Sequence, residues 1–235
     1  MFVANCASGA CRPPGLKRCD LMPRIALIHA LAHSVAPISE ALQRDWPECQ
    51  RMNLLDDSLS ADLARSGGVL DAAMTTRFVA LADYAVSAGA DAILFTCSAF
   101  GPCIEAVARR HADRPVLKPN EAMIGEAVAS GARIGLVASF APTLSSMPGE
   151  FPSGCMLDLE SAEGAMAALD RGDLAGHDES VTNAAARLAA RGAGVIALAQ
   201  FSMARARGAV QSRCGLPVLT TVDSAVRALR QRLTA

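Results

Sequence analysis

Aromatic residues are scarce in this chain: seven Phe, one Trp and one Tyr in 235 residues, 4% in all. Charge of either sign is not in excess either. Lys and Arg number 22 against 23 Asp and Glu, for a formal net charge of -1. With no basic stripe and no aromatics interleaved with basic residues, nucleic-acid binding is excluded, because phosphate contacts need clustered Lys and Arg. No apolar run reaches the ~18 to 20 residues that span a bilayer, so no membrane partner is expected. The start of the chain lacks a charged segment followed by a continuous apolar one, so it does not read as a signal peptide. The sequence has no GxGxxG, GxxxxGK[ST] or GxSxG motif, which removes support for phosphate-loop and serine-hydrolase readings. There is no CxxC, HExxH or HxH spacing among its eight Cys and four His, so no metal is expected.

What is present is a chain rich in small apolar residues. Hydrophobic residues make up 51% and the mean hydropathy is +0.27, with Ala the main contributor. Such a mix suits closely packed helices and sheets. The segment before Met22 is rich in Gly, Pro, Cys and Arg without periodicity; residues 1–22 read as a disordered extension, or as an upstream start ahead of a true start at Met22. The expected compartment is the reducing cytoplasm, where scattered cysteines stay thiols.

From Arg24 onward strand and helix signals alternate. "RIALIHA" is a β-rich apolar run and "SVAPISEALQRDW" a helix. "CQRMNLLDDS" is a second strand running into an Asp/Ser loop. "GGVLDAAMTTRFVALADYAVSAG" is a long amphipathic helix with Gly89 as its stop. "DAILFTC", "PCIEAVARRHA" and "PVLKP" continue the series as strand, helix and strand. This order predicts a parallel α/β sheet.

The pattern then repeats. "GADAILFTC" runs from Gly89 to Cys97, and "GAGVIALAQ" from Gly192 to Gln200, each eight residues on. "RPVLKPNEAM" follows the first and "LPVLTTVDSA" the second. "RIALI" at Arg24 has a counterpart in "RIGLV" at Arg133. A repeat of just over one hundred residues predicts two similar parallel-sheet, Rossmann-like lobes related by a pseudo-twofold axis. Residues 23–117 with 210–235 are assigned to the first lobe and 118–209 to the second.

Ligands of parallel α/β sheets sit beyond the C-terminal strand ends. Cys97 and Gln200 hold equivalent strand ends, so a cleft between the lobes brings both to one site. A thiol there is either a small buried hydrophobe or a reactive group. Gly101-Pro102 opens a helix just after it, and unpaired backbone N–H groups at a helix start favour a thiolate, which predicts a lowered pKa. Thr96 and Ser98 add hydroxyls to an anion-binding turn. Such a thiolate can take a proton from a carbon beside a carboxylate or amide, or attack an electrophilic carbon. Cys103, in the following helix, reads as packing. His29 and His33 follow the first strand at the expected cleft rim, where His33 with Ser34 can bind substrate or supply a proton. Asn120 reads as a helix cap. Ser139 and Thr143, after the strand "RIGLV", are caps or anion ligands. "LDRGDLAGHDES" reads as a solvated loop and helix start.

Taken together, "FTCSAFG", "RIGLVASFAPT" and "ALAQFSMA" resemble the matching segments of the aspartate/glutamate/hydantoin racemase superfamily, whose relatives include arylmalonate decarboxylase and maleate isomerase. The resemblance runs from about Arg24 to the end. It implies two cysteines facing each other across the reacting carbon, with no metal, pyridoxal phosphate or nucleotide cofactor. Cys97 matches the first family cysteine, and Thr96, Ser98 and Phe100 the surrounding substrate turn. Ser139 and Thr143 match hydroxyl positions that hold a carboxylate. Gln200 stands where the second cysteine belongs, with Ser202 and Met203 continuing that motif. Glutamine is neither acid nor base near neutral pH.

The resemblance therefore implies an isomerase or racemase-superfamily enzyme acting on a small carboxylate or amide, of amino acid or hydantoin type, through the Cys97 thiolate. His33 or a water is then the second acid. The alternatives are a decarboxylase or lyase on the same scaffold, in which the thiol protonates the carbanion left by loss of CO2; Cys97 as a nucleophile in an isomerase, lyase or hydrolase, with Gln200 donating to an oxyanion; or a non-catalytic small-carboxylate binding protein. Decarboxylases of the family keep their thiol in the other lobe, so Cys97 would reverse that polarity. The partner expected is a small molecule; a homo-oligomer is left open.

Overall fold

A computed structural model describes residues 22–234. The expected disorder of residues 1–21, and Cys6, Cys11 and Cys19, lie outside the described residues.

Among the described residues eight strands form two parallel sheets of identical plan. The first comprises β1 (Arg24–His29), β2 (Gln50–Leu55), β3 (Ala92–Phe95) and β4 (Val116–Leu117), in the order β2-β1-β3-β4. The second comprises β5 (Ile134–Ala138), β6 (Leu157–Ser161), β7 (Val195–Leu198) and β8 (Val218–Thr220), in the order β6-β5-β7-β8. Registers match as well: Ile25 lies beside Ala92 in one sheet, and Ile134 beside Val195 in the other. The duplicated α/β architecture read from the sequence is the architecture of the molecule.

The central strands are buried on both faces, which is why they read as unbroken apolar runs rather than alternating ones. The pleat still sorts their side chains by parity. In β1, Ile25 and Leu27 enter one core while Ala26 and Ile28 enter another. In β7, Val195 and Ala197 face one core and Ile196 and Leu198 the opposite one.

Among the described residues ten α-helices cover the sheets. Those of the first half are α1 (Val35–Asp45), α2 (Ser58–Arg65), α3 (Ala72–Ser87), α4 (Gly101–Arg110) and α5 (Glu121–Ala129). The second half supplies α6 (Ala141–Ser146), α7 (Ala165–Asp170), α8 (Leu174–Ala190), α9 (Arg207–Cys214) and α10 (Thr221–Thr234). The long predicted helix begins at Ala72 rather than Gly67, because Gly67 and Gly68 take φ of 67° and 87°, outside the helical range. Asp71 caps it, accepting the Met74 N–H at 2.7 Å. Gly89, at φ 86°, follows the end of α3 as expected. Asp173 likewise caps α8, inside the tract read as a loop and helix start.

Two features depart from the sequence reading. The Asp/Ser stretch after β2 contains a helix, α2. The segment 210–235, assigned to the first lobe, is divided: β8 pairs with β7 in the second sheet, and α10 alone packs on the first-lobe core. In exchange α5, which follows β4, puts Met123, Ile124 and Ala127 into the core of the second sheet. Each lobe is thus roofed by the helix that follows the other lobe's last strand. Arg227 of α10 ties this exchange together by donating to Glu126 of α5 at 2.8 Å. Among the described residues no helix is long and apolar enough to cross a membrane.

Candidate active site

Between the C-terminal ends of the two sheets lies a cavity of about 690 Å³. Both lobes build its floor in the same way. β3 ends at Phe95, and two residues later Cys97 sits in extended backbone (φ -127°, ψ 121°) before a 3-10 turn, Ser98–Phe100, that runs into α4. β7 ends at Leu198, and two residues later Gln200 sits in extended backbone (φ -131°, ψ 147°) before a 3-10 turn, Phe201–Ala206, that runs into α9. Cys97 and Gln200 both line the cavity.

Gln200 is held firmly. Its Oε1 accepts the Ser139 backbone N–H at 2.6 Å and the Ser139 hydroxyl at 2.9 Å. A backbone N–H can only donate, so the atom facing it is the amide oxygen. The Nε2 end, with two N–H donors, is then the end left for the cavity. Ser139 itself does not line the cavity: its hydroxyl donates to Gln200, with its Oγ 3.9 Å from Met166 Sδ, so in this structure it anchors Gln200.

On the Cys97 side a buried chain of hydrogen bonds runs back into the first sheet. His29, the last residue of β1, is fully buried. Its Nε2 pairs with Asn53 Oδ1 at 3.0 Å and its Nδ1 with Thr96 Oγ1 at 2.9 Å. If the Asn53 oxygen accepts, Nε2 carries the proton and Nδ1 accepts from the Thr96 hydroxyl. Burial lowers the His29 pKa, outweighing the bond to Asn53, so the ring is neutral at pH 7. His29 is thus not a rim residue, as the loop reading had it. It fixes Thr96, which lines the cavity next to Cys97.

At Cys97 the effect of the turn's N–H groups is opposed by burial. Burial pushes the thiol up, and the Ala99 backbone N–H draws it back only in part. The residue is half-buried, opening only onto the cavity, and a short 3-10 turn supplies one amide rather than a full helix terminus. Desolvation of the charged form is the larger of the two effects.

The other sequence candidates divide. Ser98, Thr143 and Ser202 line the cavity, and the latter two are buried. Phe100 lines it too, but is also core, its ring tilted 35° against Phe78 with centroids 4.8 Å apart. His33 stands at the rim, where Nε2 meets Asp170 Oδ1 of the opposite lobe at 3.2 Å, both side chains well exposed. Cys103 is fully buried, 3.5 Å from the Thr75 hydroxyl, in keeping with packing.

Asn120 departs from its reading as a cap. It precedes α5, yet its side chain makes no capping bond. It is 1% exposed and borders the cavity. Its amide makes no well-aligned hydrogen bond, but it lies close enough to the Glu150 carboxyl to offset part of the rise in pKa that burial causes there. Among the described residues that line the cavity there is no Asp, Glu, Lys or Arg. Its polar surface is hydroxyl, amide, backbone, the Cys97 thiol and the His33 imidazole; the remainder is apolar, including Leu63 of α2, Phe140 and Met166 of α7.

The family model described as Asp/Glu/Hydantoin racemase matches residues 32–229. Solved structures with the same fold include the allantoin racemase from Klebsiella pneumoniae, at 20% identity and TM-score 0.69, covering 90% of this chain and 88% of that one. A glutamate racemase isoform from Bacillus anthracis aligns at 12% identity and TM-score 0.67, over 90% and 82% of the two chains. Unliganded arylmalonate decarboxylase aligns at 15% identity and TM-score 0.59, over 90% and 93%. At such identities the likeness establishes the fold. No curated protein sequence is significantly similar to the chain.

Proposed function

The chain belongs to the Asp/Glu/hydantoin racemase family, and from that premise we propose that it is a cofactor-independent enzyme that transfers a proton at one face of an activated carbon, with Cys97 as the proton-bearing group. The observation that carries this reading is the pairing of one thiol with one fixed amide at equivalent strand ends. Inversion of a stereocentre by two acid/base groups needs one on each face. Gln200 cannot titrate, but an anchored amide is suited to stabilising an oxyanion.

The chemistry follows from the groups present. The substrate's carbonyl lies with its oxygen toward Gln200 Nε2 and the hydroxyls of the turns. Negative charge that develops on the carbon delocalises onto that oxygen as an enolate. Cys97 gives its proton to the carbon from its own face, and the resulting thiolate is reprotonated by solvent. Thr96, held by His29, keeps the Cys97 turn in place. His33, tied to Asp170, is a rim residue in this scheme and not the second acid.

Burial of Cys97, which favours the neutral thiol, supports one of the alternatives, a decarboxylase or lyase. There the bond that breaks is carbon–carbon, its electron pair stays on the substrate carbon, and the thiol supplies the proton in a single step. Racemisation starts instead from a thiolate, which burial disfavours here. The test is solvent-deuterium uptake, read by NMR, on a panel of 2-substituted carboxylates, amides, hydantoins and malonates. Wild type is expected to place deuterium on the reacting carbon of at least one of them, and Cys97→Ala to place none. Equal uptake by Cys97→Ala would contradict the role of the thiol.

A further inference from the structure

A second cavity, of about 520 Å³, adjoins the first, and the two share His33 and Ser202 as a common wall. This volume lies within the ~300–1,000 Å³ range of sites that enclose small ligands. Its lining comes from α1, the end of α7, the start of α8, the turn Phe201–Ala206 and the first residues of α9 and α10. The chemistry changes across the shared wall. Three guanidinium groups, those of Arg44, Arg205 and Arg207, line the second cavity, together with the carboxylates of Glu40 and Asp223.

The hydrogen bonds of these groups show which of them are free for a ligand. Asp223 is buried and both its oxygens are engaged: Oδ1 accepts from Arg44 at 2.7 Å, and Oδ2 from Arg207 at 3.0 Å and from the Thr220 hydroxyl at 2.8 Å. It fixes two guanidiniums in place. Arg205 donates from Nε to Asp178 of α8 at 2.8 Å. Among the described residues neither Nη of Arg205 has a partner, and neither do Nε and Nη2 of Arg207. Each guanidinium thus keeps an open edge of parallel N–H donors, the geometry that meets a carboxylate or phosphate in two charge-assisted bonds. Both side chains are more than half covered, at 37% and 44% exposure, so an anion seated there is partly shielded from water. Leu169, Leu174 and Pro37 supply apolar surface beside them.

One short segment serves both cavities. Gln200 precedes the 3-10 turn Phe201–Ala206, which carries Ser202 and Arg205, and Arg207 opens α9 directly after it. Phe201 packs into the core of the first lobe, Met203 and Ala206 into that of the second, so the turn is gripped from both sides. We propose that the second cavity binds a small organic anion, a carboxylate or phosphate ester with an apolar body, on the open edges of Arg205 and Arg207, and that its occupation is felt at the Gln200 end of the turn. An effect on turnover rests on the reading of Gln200 as an oxyanion donor; the binding does not.

Titration calorimetry of the full chain with 3-phenylpropionate, phenyl phosphate and 2-phenylethylamine tests the site. At least one of the two anions should bind one to one and at least tenfold more tightly than the amine, and the tighter of them identifies the head group. Arg205→Leu removes one guanidinium and Ala36→Trp fills the second cavity; each should weaken that anion at least tenfold. Met166→Trp fills the first cavity instead and should leave the affinity within about twofold. Glu40→Gln should tighten binding by removing a like charge. Binding of neither anion, binding of the amine as tight as theirs, or an affinity that survives Ala36→Trp and Arg205→Leu overturns the site. The side-chain amide resonance of Gln200, identified by its loss in Gln200→Leu, should shift as the anion saturates wild type; an unmoved resonance overturns the coupling. Anion binding with this selectivity by a protein that takes up no deuterium on any carbon acid would refute the proton-transfer reading alone.

Discussion

The two lobes share a backbone plan and differ in what they place at its ends. In the first, β3 delivers Cys97, and the neighbouring strand end, His29 of β1, is buried and bonded to Thr96. In the second, β7 delivers Gln200, and the strand beside it, β5, leads into Ser139, which grips the glutamine's oxygen. One lobe presents a proton, the other a fixed pair of N–H donors. A duplicated scaffold can thus lose its symmetry of reaction while keeping its symmetry of fold. Few side chains separate the two ends, and each lies 60 or more residues from its partner in sequence.

Breaking the first lobe's end has the largest expected effect. Cys97→Ser keeps the shape and removes a usable acid, so turnover should fall ~10²- to 10⁴-fold, the range of general acid–base catalysis. Gln200→Leu removes the proposed oxyanion donor and should lower kcat by ~10²- to 10³-fold. Ser139→Ala removes the hydroxyl bond to the amide and leaves the backbone N–H bond at 2.6 Å, so its loss should be smaller than that of Gln200→Leu. Steady-state kinetics on the substrate found by deuterium uptake checks all three. Gln200→Cys sharpens the comparison differently. It puts a thiol at both strand ends, and chiral chromatography should then detect inversion that wild type lacks.

The sheets themselves allow a matched test of packing. Gly135 on β5 holds the place that Ala26 holds on β1. A Cβ there would meet Leu188 Cβ at 3.0 Å and Ala193 Cβ at 3.1 Å. Gly135→Ala should therefore destabilise by about 1–3 kcal/mol, although Ala is tolerated at the equivalent position of the first lobe. Denaturant unfolding measures it.

The smallest effect is in pH. His29 has its pKa lowered in the folded state. Below the unfolded value of about 6.5 the unfolded chain takes up a proton that the folded chain refuses. Stability that is fully present above about pH 6.5 should accordingly decline as pH falls toward the lowered folded value. His29→Asn should flatten that part of the profile, measured as melting temperature against pH. The thiol gives the opposite sign in reactivity. Cys97 alkylation in the free protein should keep accelerating above pH ~8.5, the ordinary thiol value.

Much of the fold was legible because its central strands are buried on both faces. That leaves uninterrupted apolar runs such as "AILF" and "VIAL", with glycines before them and a helix after. β6 and α2 were hidden for the reverse reason: they lie at the edges, are partly exposed, and carry Asp, Glu and Ser among their apolar residues. At the site, position was legible and environment was not. Cys97, Gln200, Thr143 and Ser202 could be placed by strand-end logic. The burial that raises the Cys97 thiol, the engagement of Ser139 with Gln200 and the enclosure of His29 all depend on residues brought together only by folding. Asn120 shows the difference most plainly. Asn before a helix has a strong capping preference, and only the three-dimensional structure shows its amide turned away from that task.

The central claim is that proton transfer occurs from one face only. The most direct measurement is the configuration of the product formed by wild type in deuterium oxide, from a prochiral 2-substituted malonate or a single enantiomer of an amide carbon acid. The account predicts deuterium at the reacting carbon in a single configuration, retained where the substrate was chiral and lost altogether in Cys97→Ser. A racemic deuterated product from wild type would contradict it.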